Sequence, residues 1–296
     1  MRRSILATIA IALGCGAGRA AQREFDGARA MTYAQAQVDF GPRVPNTEAH
    51  RLAGDWILEQ LRTRVDSVEV QEFKHVTVEG DTLHLRNFIG RLRPEVPDRI
   101  VYLAHWDSRP RSDQSRNVGA RMQPVPGAND GASGVALLLG VADVLNQRPS
   151  EFGVDLVFVD GEDYGDFGVG KDVLLGSKHY AAGLDESSMP LFAVVWDMIG
   201  DADLRILQEG HSVSRAPEVV ERVWGKAREL GYGRVFRPTV RSAISDDHVP
   251  LLDAGVRAID VIDLDYPYWH TPDDTMDKIS AASLQIVGDV AVALLR

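Results

Sequence analysis

The chain has 296 residues, 45% of them hydrophobic, which suits one large folded domain with a substantial core and excludes a disordered chain. Its formal charge of -11 argues against nucleic acid or an anionic membrane as a partner, and losing Arg2, Arg3 and Arg19 with the leader described next makes the balance more acidic. Such an excess of carboxylates suits metal ligands, or attraction of a cationic group such as a peptide amino terminus.

The first segment, "MRRSILATIAIALGCGAGRA", has a basic start, an apolar run from Ile5 to Leu13 and then small residues. That layout predicts a signal peptide over residues 1–21, with cleavage after Ala20 or Ala21. The apolar run is too short to span a bilayer as a stable helix, so no transmembrane span is expected in the mature chain. Cys15, the only cysteine, follows "ALG" in a pattern that resembles a bacterial lipoprotein processing site. Two outcomes stay open: a lipid anchor at Cys15, or simple removal of the leader. Either implies export, to the periplasm, as a membrane-anchored lipoprotein or as a secreted protein. In both cases the remainder has no disulfide and no thiolate metal site.

No repeat, low-complexity tract or linker interrupts the rest, so residues 22–296 read as a single domain. "NTEAHRLAGDWILEQLRTR" carries Leu52, Trp56, Ile57 and Leu61 at helical spacing, with Asn46 or Thr47 as its cap. Strand-like runs follow at "VDSVEVQEF", "LHLRNFIGRL", "RIVYLAHWD", "GVDLVFVD", "LFAVVWDMI", "LRILQ" and "VRAIDVID". Helical patterns such as "GASGVALLLGVADVLNQ" and "PEVVERVWGKAREL" separate them. The alternation predicts an α/β fold in which a mixed, mostly parallel central sheet is sandwiched by helices, with the leading strands as an antiparallel edge. One stretch, Arg109 to Gly127, is polar and without period, and reads either as a border of the substrate mouth or as a solvated linker.

In such sheets, active sites lie beyond the carboxyl ends of the strands. There the chain places His105 and Asp107 in "YLAHWDS", Asp130 in "PGANDGAS", Glu162 and Asp163 in "VFVDGEDYG", Asp197 in "VVWDMIGD" and His270 in "DYPYWHTPDD". Taken singly, each has a plain structural explanation: an interior histidine, a helix cap at Asp130, turn residues, a surface loop. Independent caps and turns do not account for so many imidazoles and carboxylates at one end of one sheet. These are the ligand types of Zn²⁺, whose catalytic sites take three protein groups and leave one position open.

These segments, from "FGPRVPNTEAHR" through "AHWDSRP", "NDGASGVALL", "VFVDGEDYG", "LLGSKHYA", "WDMIGD" and "SDDHVPLL" to "WHTPDDTMDKIS", resemble the zinc aminopeptidase superfamily. Within it they are most similar to the zinc-dependent glutaminyl-peptide cyclotransferases, especially bacterial enzymes related to the animal type. The resemblance implies a zinc aminopeptidase/glutaminyl cyclase-like fold, peptide or protein substrates with N-terminal glutamine, and conversion of that residue to pyroglutamate with release of ammonia. It implies metal ligation by Asp130, Asp163 and His270, acid/base work by Glu162, and an indole wall for the glutamine side chain at Trp269. Asp246 in "SDDH" matches an acid that shares a proton network with Asp197 and Glu162. The family more often has Glu where this chain has Asp163, and the shorter side chain asks the metal to sit nearer the backbone.

The aminopeptidase branch adds a second zinc through positions matching His105 and Asp197, and both residues are present. Peptide hydrolysis needs an activated water, and paired metals can clamp the attacking and leaving groups. Cyclisation brings its own nucleophile, the substrate's α-amine. Trp269 and Asp246 favour the cyclase, and with it one zinc per chain; the alternative is a two-zinc aminopeptidase. Asp107 reads either as a partner of His105 or as a plain strand-end residue.

Overall fold

The computed structural model describes residues 24–296; the leader and Cys15, on which the export and lipid expectations fall, lie outside the described residues. Helices α1 (Gly27–Val38) and α2 (Glu48–Arg62) come first. Of the two candidate caps of α2 it is Thr47 that accepts from the His50 N–H. Asn46 instead sits at φ 71° and bonds through its amide to the backbone of Thr82 and His84, tying the helix start to the sheet. The buried stripe of α2 runs through Ala53, Ile57 and Leu61, whereas Leu52 falls off it and is 38% exposed.

The strands are β1 (Ser67–Val76), β2 (Thr82–Leu92), β3 (Arg99–His105), β4 (Gly153–Val159), β5 (Phe192–Asp197), β6 (Ile206–Gln208), β7 (Phe236–Val240) and β8 (Ala258–Ile262). Six form one sheet in the order β1-β2-β4-β3-β5-β8. The pairs β1/β2 and β2/β4 are antiparallel, and β4/β3, β3/β5 and β5/β8 are parallel, which is the mixed sheet with an antiparallel edge that the alternation predicts. Strands β6 and β7 make a separate parallel pair. No strand-like run marks β7, because "FRPTV" contains a proline and buries only Phe236.

The remaining helices are α3 (Ala132–Gln147), α4 (Leu175–Ala182), α5 (Gly210–Arg215), α6 (Pro217–Glu229), α7 (His248–Asp253) and α8 (Ala281–Ala293). Helices α1, α3 and α8 pack on one another, with α3 against β3 and β5, while α4 and α7 pack together against β4, β5 and β8. Strands β4 and β5 are buried at every residue, which explains why they read as continuous apolar runs instead of alternating. Each fully buried Val, Leu or Phe there contributes about 1.5–3 kcal/mol. The parallel strands all point their carboxyl ends the same way, and the loops that follow build the site.

Candidate active site

His105 ends β3 opposite Val159 of β4, and Asp197 ends β5 opposite Ile262 of β8. The turn "NDGASG" must reach these ends from the start of α3. Two glycines permit it. Gly131 has φ +95°, and a Cβ there would meet the Asp107 carbonyl at 2.8 Å; a Cβ on Gly134 would meet the Trp196 carbonyl at 2.3 Å. Side chains at either position would push α3 away from the sheet. The cap position of α3 is Gly131, with no side-chain bond, so Asp130 is not a helix cap; it points into the site.

Two sets of buried ligand-type side chains converge on Asp130: Asp130, Asp163 and His270, and His105, Asp130 and Asp197. In the first, His270 Nε2 lies 3.2 Å from Asp163 Oδ1 and 3.6 Å from Asp130 Oδ2. Tetrahedral bonds of about 2.0–2.1 Å put neighbouring ligand atoms roughly 3.3 Å apart, so this set fits a zinc ion. Asp130 Oδ2 and Asp163 Oδ2 are buried without a hydrogen-bond partner, as oxygens reserved for a cation would be. In the second set His105 Nε2 sits 3.1 Å from Asp130 Oδ1 and 3.2 Å from Asp197 Oδ1, within hydrogen-bond reach of both. His270 adopts φ 52°, a left-handed conformation that costs a non-glycine residue energy and marks a position held by its surroundings.

The neighbours Glu162 and Asp163 diverge. Glu162 lines the cavity, whereas Asp163 joins the ligand cluster behind it. Their backbone is fixed by Asp107, whose two carboxylate oxygens accept from the N–H groups of Glu162 at 3.1 Å and Asp163 at 3.2 Å. Asp107 therefore positions the "GED" turn, and its Oδ1 also lies 3.6 Å from His105 Nδ1.

Three supports were not legible as such in the sequence. Arg109 donates to Asp163 Oδ1 at 2.8 Å and to both oxygens of Asp113, and Asp113 faces His270 Nδ1 at 3.5 Å. One guanidinium thus braces two members of the first set. The stretch after Arg109 accordingly buttresses the ligands: none of residues 110–127 lines the cavity. Asp274 accepts from the N–H groups of Asn129 and Asp130 and from the Tyr266 hydroxyl, fixing the "ND" turn. The buried Arg43 donates to the carbonyls of Pro126 and Gly127 just ahead of it. The motifs "AHWDSRP", "HTPDDT" and "FGPRVPN" contain all three residues, but only the folded chain shows what they touch.

The cavity measures about 640 Å³, and its lining includes Asp130, Glu162, Asp197, Asp246, Trp269 and His270. Burial pushes Glu162 well above the usual carboxylate range, with Asp163, Asp246 and Asp247 adding to the rise against an opposing His105. Burial, then the charge of Asp197, pushes Asp246 up to about 7. Burial opposes a charge on His105, but Asp107, Asp130 and Asp197 outweigh it and raise the imidazole. So much acid in so little space cannot all be ionised at neutral pH. Because Asp246 is raised from 3.8 to about 7, its favourable contribution is complete below the unfolded value and is lost as pH rises through about 7. Asp246→Asn is expected to flatten that fall and to melt above the parent protein on the alkaline side of 7, read by melting curves across pH.

Peptidase family M28 matches residues 87–295, which contain every candidate ligand. The chain belongs to this family. Among relatives, this family M28 chain is 29% identical over 271 residues to a glutaminyl-peptide cyclotransferase of Drosophila melanogaster, covering 82% of this chain and 73% of that protein. Among solved structures, it is 37% identical to a Bacteroides thetaiotaomicron glutaminyl cyclase bound to N-acetylhistamine, with a TM-score of 0.88 over 92% of this chain and 97% of that one. A Porphyromonas gingivalis glutaminyl cyclase gives 35% identity and a TM-score of 0.89 over 93% and 99%. No helix among the described residues is long and apolar enough to cross a membrane.

Proposed function

We propose that this M28 chain is a zinc-dependent glutaminyl-peptide cyclotransferase that turns the N-terminal glutamine of a peptide into pyroglutamate and releases ammonia. The observation that carries the reading is Trp269. The residue is 40% exposed, lines the cavity and stacks its ring on that of His270 at 3.9 Å, so an apolar wall stands directly beside a candidate metal ligand. Methylenes of a glutamine side chain would fit that wall, with the amide at their end toward the residues that would hold the metal.

Asp130, Asp163 and His270 would hold one zinc. The unpartnered Oδ2 of Asp163, beside that of the shared Asp130, supports this set, while His105 and Asp197 stand at spacings that would serve a second metal in the aminopeptidase alternative. A bound zinc supplies Lewis acidity toward the γ-carbonyl. Glu162 takes a proton from the α-amine as that nitrogen bonds to the γ-carbonyl carbon. The same proton passes to the amide nitrogen as its bond to carbon breaks, and ammonia leaves. Nothing else is consumed. Asp197 and Asp246, at the same wall, hold the proton inventory that keeps Glu162 usable in both directions. We further propose that residues 1–21 direct export, ending either in cleavage after Ala20 or Ala21 or in processing before Cys15 with the lipid on that cysteine, and that 22–296 act as one catalytic domain.

The test offers purified protein a Gln-initiated peptide beside a Leu-initiated one, with zinc counted on the same sample. One zinc per chain and turnover of the first peptide alone are expected. Two zinc ions with release of leucine would identify a two-zinc aminopeptidase using His105 and Asp197. The wall role makes its own prediction: Trp269→Ala lowers kcat/KM for Gln-initiated peptides about tenfold while zinc content and Tm change little. A core tryptophan would instead cost roughly 3–5 kcal/mol of stability.

A further inference from the structure

Beyond the cavity a second depression of about 430 Å³ lies in the seam between α4 and α7. Phe167 and Ser245 line both hollows, so the two form one surface divided by those side chains. The floor of the second hollow is apolar: Val173, Leu174 and Ala181 are buried there, with Val249 and Pro250 half-buried beside them. Two charged residues stand at its edge. Asp253 is paired with Arg215 at 2.8 Å. Lys178 donates to the Val173 carbonyl at 2.8 Å and, among the described residues, meets no carboxylate. The dividing wall is held in place, because Asp166 and Lys171 exchange backbone bonds of 2.8 and 3.0 Å around Phe167, and the Arg109 guanidinium lies 6.0 Å from its ring.

We infer that this groove is the subsite for the substrate residues downstream of the N-terminal glutamine, and that it selects an apolar side chain with an acidic group nearby. The inference rests on the cyclase reading, in which the peptide leaves the cavity after its N-terminal glutamine and follows the surface onward. Two features make the groove the exit. It adjoins the cavity across the shared Phe167 and Ser245, and its apolar floor rewards burial of a side chain. The cation at its edge differs from Arg241 at the cavity mouth, which Asp265 neutralises at 2.8 Å. Lys178 thus offers an unspent charge in a protein that is otherwise strongly acidic.

The experiment measures kcat/KM for a glutamine dipeptide amide and for longer Gln-initiated peptides with Leu or Gly, and Glu or Lys, at downstream positions. The parent protein is expected to prefer Leu over Gly by about tenfold at one such position. Ala182→Trp, at an exposed position lining the groove, should abolish that preference and leave the dipeptide amide unchanged. Lys178→Glu should move the Glu-over-Lys ratio about threefold toward Lys, an effect that fades with added salt. Equal turnover of Leu and Gly peptides by a protein that still cyclises the dipeptide amide would overturn the subsite alone. So would a loss in Ala182→Trp that is the same for short and long substrates at unchanged Tm. No turnover of any Gln-initiated substrate would remove the cyclase reading, and the subsite with it.

Discussion

Replacing Glu162 with Gln is expected to lower kcat for a Gln-initiated peptide by about 10²- to 10⁴-fold while the protein keeps its zinc. The side chain lines the cavity, and it belongs to neither ligand set. An amide of the same shape fills the same space but cannot take a proton from the α-amine or return it to the departing nitrogen. The backbone of the turn should not move, because Asp107 holds the Glu162 N–H and not its side chain. A steady KM beside the lost kcat is therefore the expected pattern. Loss of metal from this variant would mean that Glu162 is a ligand.

Asp163→Ala is expected to act on the metal first. It removes one of the two unpartnered carboxylate oxygens and takes from Arg109 the Asp163 carboxylate that shares its charge with Asp113. Zinc affinity should fall by at least about 100-fold, since even indirect partners of metal ligands cost 10- to 100-fold. Activity should fall with it and recover in part when zinc is added in excess. Equilibrium dialysis against graded zinc, with activity followed on the same samples, separates this variant from Glu162→Gln. Retention of zinc by Asp163→Ala and its loss from Glu162→Gln would exchange the roles of the two neighbours.

Much of this architecture can be read from the chain because the buried parallel strands are continuous apolar runs and their carboxyl ends carry polar residues that nothing in the core would need. "GVDLVFVDGED" announces both the strand and the site. Positions that depend on long-range fit are less legible. Leu52 satisfies helical spacing yet faces solvent, because the buried stripe of α2 runs through Ala53 and Gly54, and the missing side chain of Gly54 lets Arg86 and Trp106 approach. Strand β7 is silent because its partner, β6, supplies the order that its own proline-containing sequence lacks. The supports Arg109, Asp113 and Asp274 act across 54, 157 and 144 positions of chain, toward Asp163, His270 and Asp130 respectively, and no local pattern encodes such a pairing. The division of labour in "GED" comes from the family resemblance and not from the local pattern: a strand end separates two neighbouring side chains, and in the fold it is Asp163 that lies beside His270.

In the proposed reaction the bond to the γ-carbonyl carbon is made by the substrate's own amine and not by water. Mass spectrometry of a Gln-initiated peptide turned over in heavy-oxygen water tests this directly. A single product lighter by one ammonia, with no heavy oxygen incorporated, is the expected result. Heavy oxygen in a released amino acid, or in a glutamate formed from the amide, would contradict it.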